Sequence, residues 1–214
     1  MKAPRKYSLL LLLLLAIVAL AIPAFGQAVF TLGNHPQPNE ENVLFPTDQT
    51  APAVFGFTNP SSTQVQFSST TDTLVVISHS QANVGASDGL VNVMTFTVPG
   101  HTFAGFIFNP FKPAKNSDLN IVVTMSDGFT FDFGPYGSTN GNNFLTITTT
   151  GGEMIKSVTV DSTGGFDDLR QPRVSGISGA STSAVAVPDQ TSSFLLLGSS
   201  VLGLTTMLRR KRSR

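Results

Sequence analysis

The sequence predicts an all-β protein, a jelly-roll-like β-sandwich flanked by an N-terminal signal peptide and a C-terminal transmembrane helix. Three observations predict the sandwich. Short runs rich in Val, Ile, Phe and Thr alternate with clusters of Gly, Pro, Asn and Asp along most of the chain. Several runs alternate apolar and polar residues, as Phe129 to Phe133 do, which marks strands with one buried face. No stretch between residues 27 and 176 shows a helical period.

The first 26 residues have the three parts of a secretory signal peptide. A basic start precedes an uninterrupted apolar run, Leu9 to Ile22, which Pro23 ends. Small residues then precede an expected cleavage between Gly26 and Gln27. The alternative is a signal anchor that is retained. Without an Arg-Arg pair near the start, the Sec route is favoured over the twin-Arg route.

The body, residues 27–176, is predicted to contain about ten strands at intervals of about ten residues, which favours a sandwich. The strongest hairpin signal is Asp127-Gly128, because glycine supplies the positive φ of a tight turn. Gly151-Gly152 is the second, and Pro110, Gly134-Pro135 and Gly164-Gly165 are expected to separate strands. The predicted strands are Ala53–Thr58, Thr63–Phe67, Thr73–His79, Val91–Val98, His101–Asn109, Leu119–Met125, Phe129–Phe133, Asn143–Thr150, Glu153–Val160 and Asp167–Ser175.

Composition excludes several classes of function. The chain has no cysteine, so disulfide scaffolds, zinc-thiolate sites and cysteine nucleophiles are excluded. The net charge is zero, but residues 27–187 contain twelve acidic and five basic side chains, a balance of −7. A body of that charge repels phosphate, so a nucleic-acid partner is not expected.

The C-terminal region is predicted to cross a membrane. Residues 177–186 form a linker rich in Ser, Gly and Ala. Thr191 to Leu208 carries no charge, and the basic tail, residues 209–214, follows. As a helix, the nineteen residues between Asp189 and Arg209 would span about 28 Å, close to the thickness of a bilayer core. The basic tail would stay cytoplasmic by the positive-inside rule.

The last 28 residues, 187–214, resemble the PEP-CTERM sorting signal, in which a short Pro-containing motif precedes an apolar helix and a basic cluster. Val187 and Pro188 match the common Val-Pro-Glu-Pro motif, Asp189 keeps its acid, and Gln190 departs from its second proline. The resemblance implies processing by an exosortase, a membrane-embedded protease of bacteria that make exopolysaccharide. The alternative is an ordinary tail anchor. The residues assigned to the sorting signal are Val187, Pro188, Asp189, Gln190, Arg209, Arg210, Lys211 and Arg212.

The body shows few candidates for chemistry. His35, His79 and His101 do not have metal-ligand spacing and are expected at the surface. Asp167 or Asp168 would suit a structural Ca²⁺ at a sandwich edge; the alternatives are solvated acids or an ion pair with a nearby arginine.

The aromatic stretch from Phe103 to Phe111 is expected to belong to the core, because Phe106 and Phe108 share a face. No catalytic residue and no cofactor is assigned to the body. The prediction is therefore an exported, non-catalytic protein of the cell surface or extracellular matrix that is anchored in the envelope or processed by an exosortase. It would serve adhesion or association with exopolysaccharide, with the membrane, an exosortase and exopolysaccharide as partners. Two alternatives are a carbohydrate-binding module, with Tyr136 and acidic loops as contacts, and a hydrolase whose site the sequence does not reveal.

Overall fold

The computed structural model describes residues 26–78, 82–113, 117–137, 139 and 141–179. In these ranges the secondary structure consists of strands without a helix, which confirms the all-β prediction. Within the same ranges no helix is long and apolar enough to cross a bilayer. The expected signal peptide up to Phe25, the predicted helix 191–208, the sorting motif 187–190 and the basic tail lie outside the described residues.

Fifteen strands are found among the described residues. The first eight are β1 (Gln27–Leu32), β2 (Glu41–Leu44), β3 (Thr50–Ala51), β4 (Ala53–Asn59), β5 (Gln64–Ser68), β6 (Leu74–Ser78), β7 (Asn83–Ala86) and β8 (Val91–Thr97). The other seven are β9 (His101–Thr102), β10 (Gly105–Pro113), β11 (Asp118–Met125), β12 (Thr130–Gly137), β13 (Leu145–Thr150), β14 (Ile155–Ser175) and β15 (Ser178–Gly179).

The long strand β14 belongs to both layers of a β-sandwich. Its first half pairs with β11 and β8, so one layer has the order β12-β11-β14-β8-β5-β4-β2. Its second half pairs with β10 on one side and with β7 and β2 on the other, so the other layer has the order β1-β13-β10-β14-β7-β6-β3. Strand β2, which pairs with both β4 and the second half of β14, joins the two layers. The pairing shifts register between Asp161 and Phe166, where Gly165 has a φ of +80°. Gly164-Gly165, expected to separate two strands, therefore bends one continuous strand.

Phenylalanine side chains join the two layers across the core. Phe96 on β8 stacks on Phe106 of β10 with ring centroids 4.0 Å apart, and Phe106 stacks on Phe108 at 4.8 Å. Phe67 and Phe103 contact the Phe96 ring at 5.2 and 5.3 Å. The prediction that Phe106 and Phe108 belong to the core is confirmed, because both are fully buried.

The predicted hairpin at Asp127-Gly128 is confirmed. Strands β11 and β12 pair antiparallel, with Thr124 opposite Thr130, and Gly128 has a φ of +93°. The Gly128 N–H donates to the Met125 carbonyl at 3.1 Å and closes the turn. Phe131 and Phe133 pack against the core and Asp132 is exposed, as the alternation predicted, whereas Phe129 stays in the turn and is 61% exposed.

The predicted hairpin at Gly151-Gly152 is wrong. Both glycines have positive φ, 73° and 83°, so the chain does turn there. However, β13 pairs with β1 and β10 in one layer, and the first half of β14 belongs to the other. The turn therefore connects the two layers instead of two neighbouring strands.

Two predicted turns at prolines lie inside strands, and the segment predicted as a linker begins with a strand. Pro110 is part of β10 and Gly134-Pro135 is part of β12, each close to a register shift that tolerates a residue without an N–H. In that segment, Ser178 and Gly179 pair with Thr102 and His101 of β9.

Candidate functional site

The candidate site residues named from the sequence do not come together. Gly26 precedes β1, and Gln27, on the other side of the expected cleavage, is its first residue. Tyr136 is half-buried against Phe30, with ring centroids 6.2 Å apart, and burial raises the pKa of its hydroxyl. It is therefore not an exposed aromatic platform. The other assigned residues, 187–190 and 209–212, lie outside the described part of the chain.

Three of the predicted metal and histidine candidates, Asp168, His35 and His101, have protein partners. Asp168 forms an ion pair with Arg170, one of the alternatives to a Ca²⁺ site. Among the described residues, no group of three or more His, Cys, Asp or Glu is arranged to hold a metal ion. His35 Nε2 lies 2.9 Å from the Leu32 carbonyl oxygen, His101 Nδ1 lies 3.1 Å from that of Ser178, and His79 is outside the described residues.

A row of polar side chains crosses three strands on the face that points away from the core. Asn59 of β4 is opposite Asn42 of β2, and Asn42 is opposite Arg173 of β14. Directly opposed residues of antiparallel strands point to the same face, so the three side chains are neighbours. With Asn34, they line a cleft of about 460 Å³.

A second row lies beside the first. Ser78 of β6 is opposite Asn83 of β7, Asn83 is opposite Arg170 of β14, and Arg170 is opposite Asn109 of β10. Asn142 extends the row, because the Asn109 amide donates to Asn142 Oδ1 at 2.9 Å. These five side chains line a second cleft of about 290 Å³. Both clefts include Ala82 and Gln171, so they adjoin; together they are called the amide groove below.

A β-bulge in β14 creates the amide groove. In a regular strand, residues 170 and 173 would point to opposite faces, because side chains alternate with a period of two. Here Arg173 is opposite Ile107 and Arg170 is opposite Asn109, so three steps along β14 match two along β10. Gln171 takes a φ of +50°, and its N–H donates to the Ala82 carbonyl at 3.0 Å. The extra residue turns both arginines to the groove face.

Each arginine of the amide groove is held by an acid. Arg173 donates to Glu40 Oε1 at 2.5 Å and also to the Asn34 amide oxygen. Arg170 donates through Nε and a terminal nitrogen to the two oxygens of Asp168, at 2.6 and 3.0 Å. Two parallel hydrogen bonds of this kind fix the orientation of a guanidinium. The Arg170 guanidinium also lies 3.3 Å from the centroid of the Phe111 ring.

The amide groove offers both hydrogen-bond donors and acceptors. An asparagine amide has an NH₂ that donates and an oxygen that accepts. Asn42 and Asn59 are exposed in the groove, whereas Asn109 is buried and its oxygen and NH₂ already bond the Asn143 N–H and Asn142. The buried Asn83 Oδ1 atom has no hydrogen-bond partner among the described residues. None of the described lining residues is Asp or Glu, and hydrolysis of a glycosidic bond ordinarily needs two carboxyl groups facing each other. The described lining therefore presents amide and guanidinium groups for hydrogen bonding.

Sequence reasoning missed this groove. Its asparagines are scattered from Asn34 to Asn142, and two of them, Asn59 and Asn109, precede prolines that favoured a turn. Strands β2 and β7, which supply Asn42 and Asn83, are four residues each and lack a clear β pattern. The high asparagine content was the only feature of the sequence that pointed to the groove, and it did not indicate which asparagines would lie together.

The fold and the groove define an all-β sandwich with a polar cleft on one outer face. No family model and no curated protein matches the chain. Similar solved structures include a mutant of a carbohydrate binding module of family 29, with 10% identity, coverage of 71% of this chain and 90% of that chain, and a TM-score of 0.28. Another is a mutant made to probe ligand recognition by family 29 carbohydrate binding modules, with 9% identity, coverage of 72% and 90%, and a TM-score of 0.28. TM-scores this low support no argument about function.

Proposed function

We propose that this protein is an exported protein of the cell surface or extracellular matrix whose sandwich binds polysaccharide in the amide groove. The observation that carries the binding proposal is the double row of asparagine side chains around two oriented arginines. Sugars present closely spaced hydroxyl groups, each of which donates and accepts hydrogen bonds. Amides have the same dual capacity, so exposed asparagine side chains such as Asn42 and Asn59 can donate to and accept from the hydroxyl groups of a bound sugar.

Export and anchoring form the second half of the proposal. Its support is the sequence: a signal peptide at one end, and a linker, an apolar segment and a basic tail at the other. Strand β1 begins at Gln27, directly after the proposed cleavage at Gly26, and this position supports the proposal. Processing by an exosortase, and a jelly-roll relationship of the body, are the finer parts of this proposal.

Removal of Thr191–Arg214 is expected to release the protein from the membrane fraction. The deleted segment contains all the residues proposed to cross the bilayer, and the apolar segment binds membranes through the hydrophobic effect. The measurement is fractionation of cells that express the full chain or the truncated chain, followed by intact mass of each product. A control truncation removes only Ser213 and Arg214 and should leave the protein in the membrane. Equal release of the full and truncated chains contradicts the anchoring proposal.

Substitution of Asn42 or Asn83 by alanine is expected to weaken polysaccharide binding about tenfold each. A lost hydrogen bond to a ligand hydroxyl costs about 1–1.5 kcal/mol, and 1.4 kcal/mol corresponds to a tenfold change in affinity. Binding is measured for the full chain on immobilised polysaccharides, in a zwitterionic detergent without a sugar headgroup. Urea unfolding of each variant checks that the sandwich is intact.

The matched control is Gln64→Ala, because Gln64 is an exposed amide on β5 that does not line the groove. It should bind like the unaltered protein. If no polysaccharide in a broad panel binds, or if Asn42→Ala and Asn83→Ala bind as tightly as the control, the amide groove is not the binding site.

A further inference from the structure

The two arginines of the amide groove are the only arginines between residues 27 and 187. Each arginine forms an ion pair with an acidic side chain, and the paired side chains are largely or partly buried. The Arg173 and Glu40 side chains are 15% and 21% exposed, and their nitrogen and oxygen atoms lie 2.5 Å apart. The Asp168 side chain is 7% exposed and Arg170 is 35% exposed, with Nε and Oδ1 2.6 Å apart.

The acids are themselves held in place. The second oxygen of Glu40 accepts from the Gln37 N–H at 2.8 Å, so the carboxylate is tied to its own loop as well as to Arg173. Asp168 accepts from two nitrogens of one guanidinium, which is the favoured fork geometry. Neither acid can leave its arginine without loss of these hydrogen bonds.

The pairing determines what charge the groove presents. An anionic sugar needs an unpaired cation, and it would have to displace Glu40 or Asp168 to find one. The displaced carboxylate would then remain in a half-buried site without its partner, which is unfavourable. The body also has a balance of −7 over residues 27–187, so it repels anions at longer range. Uncharged hydroxyl groups neither have to displace a carboxylate nor are repelled by the negative charge of the body.

We infer that the amide groove selects uncharged polysaccharides over those with uronate, sulfate or phosphate groups, and that Glu40 and Asp168 are specificity-determining residues. This inference rests on the proposed function. Neutralisation by the acids keeps the arginines oriented as hydrogen-bond donors while it removes their attraction for anions. The asparagine rows then provide the contacts to sugar hydroxyls.

The test compares Glu40→Gln with the unaltered full chain on neutral and acidic polysaccharides. The probes are a galactomannan and a mixed-linkage β-glucan as neutral chains, and alginate and polygalacturonate as acidic chains. Glu40→Gln leaves Arg173 without a counter-charge, so affinity for the acidic chains is expected to rise about tenfold or more. The gain should shrink at high salt, because screening weakens the new attraction. Binding to the neutral chains should change by less than about threefold.

One control variant and one second test variant complete the experiment. Asp132→Asn removes the same charge from an exposed position on β12 and should raise acidic binding by less than about twofold, since only the net charge changes. Asp168→Asn tests the second pair independently, in case Glu40→Gln disturbs the 33–40 loop.

The outcomes separate the inference from the proposed function. The inference is overturned if the unaltered chain binds acidic polysaccharides as tightly as neutral ones. It is also overturned if Glu40→Gln and Asp168→Asn, both folded, gain no more than Asp132→Asn. If neither the unaltered chain nor any variant binds a polysaccharide of either kind, the proposed function itself fails.

Discussion

Phe106→Ala is expected to lower the free energy of unfolding by about 3–5 kcal/mol, the usual cost when a buried aromatic side chain is truncated. The Phe106 ring is fully buried and stacks on Phe96 at 4.0 Å and on Phe108 at 4.8 Å. It therefore connects β10 of one layer with β8 of the other. Its removal leaves a cavity at the contact between the layers and ends both stacking interactions.

The measurement is urea unfolding of the unaltered chain and the variant. Near-ultraviolet circular dichroism monitors the packing of the phenylalanine side chains, and far-ultraviolet circular dichroism monitors the strand content. Phe129→Ala is the matched control, because the Phe129 side chain is 61% exposed in the β11–β12 turn. That variant should change the unfolding free energy by less than about 0.5 kcal/mol. A Phe106→Ala protein as stable as Phe129→Ala would mean that the two layers do not meet at this ring.

Asn143→Ala is expected to lower the free energy of unfolding by about 2–4 kcal/mol and also to weaken polysaccharide binding. The buried Asn143 amide donates to the carbonyl oxygens of Pro110, Thr139 and Gly141, at 3.2, 2.8 and 3.2 Å. Its oxygen accepts from the Thr139 N–H at 2.8 Å. Alanine leaves these groups without partners, and unsatisfied buried polar groups are costly.

The effect on binding follows from the next contact along the chain. The Asn143 side chain fixes the position of its own backbone through its hydrogen bonds to Pro110, Thr139 and Gly141. The Asn143 backbone N–H, which alanine keeps, donates to Asn109 Oδ1 at 2.7 Å, and the Asn109 amide donates to Asn142 Oδ1 at 2.9 Å. Displacement of the Asn143 backbone in the variant therefore disturbs Asn109 and Asn142. Asn143 does not line the groove, so a loss of affinity would reach it through Asn109 and Asn142. Gln64→Ala again provides the control for both readouts. If Asn143→Ala retains full stability, the hydrogen bonds of the Asn143 side chain do not stabilise the fold. If it retains full affinity, the position of Asn142 does not affect binding.

The features predicted correctly from the sequence depend on neighbours in the chain. The Asp127-Gly128 hairpin forms because glycine at the turn takes a positive φ and the two flanking runs alternate in phase. Phe106 and Phe108 are buried because residues two apart in a strand share a face. The prediction of a hairpin at Gly151-Gly152 was wrong because the pairing of β13 depends on residues that are distant in the sequence. The turn is real, but which strands lie beside β13 is decided by residues 27–32 and 105–108, far away in sequence.

Strand ends were also misjudged where tertiary pairing outweighs local preference. Pro110 and Pro135 favour turns in isolation, yet they lie within β10 and β12 because the neighbouring strands shift register beside them. Strands β2 and β7 have little intrinsic preference and form because β14 pairs with them. Since both strands contribute asparagines to the groove, this omission is the reason that the site was missed.

The sequence by itself determined that the body is an all-β protein, because the alternation and the turn residues are local properties of the chain. It also holds the basis for the proposed export and anchoring, which depend on linear segments. Only the tertiary structure decided where the amide groove can form. The bulge at Gln171 turns Arg170 and Arg173 to one face, and β2, β7 and β10 bring Asn42, Asn83 and Asn109 beside them. Register between distant strands is a property of the packed sandwich as a whole, so no single segment of the sequence specifies it.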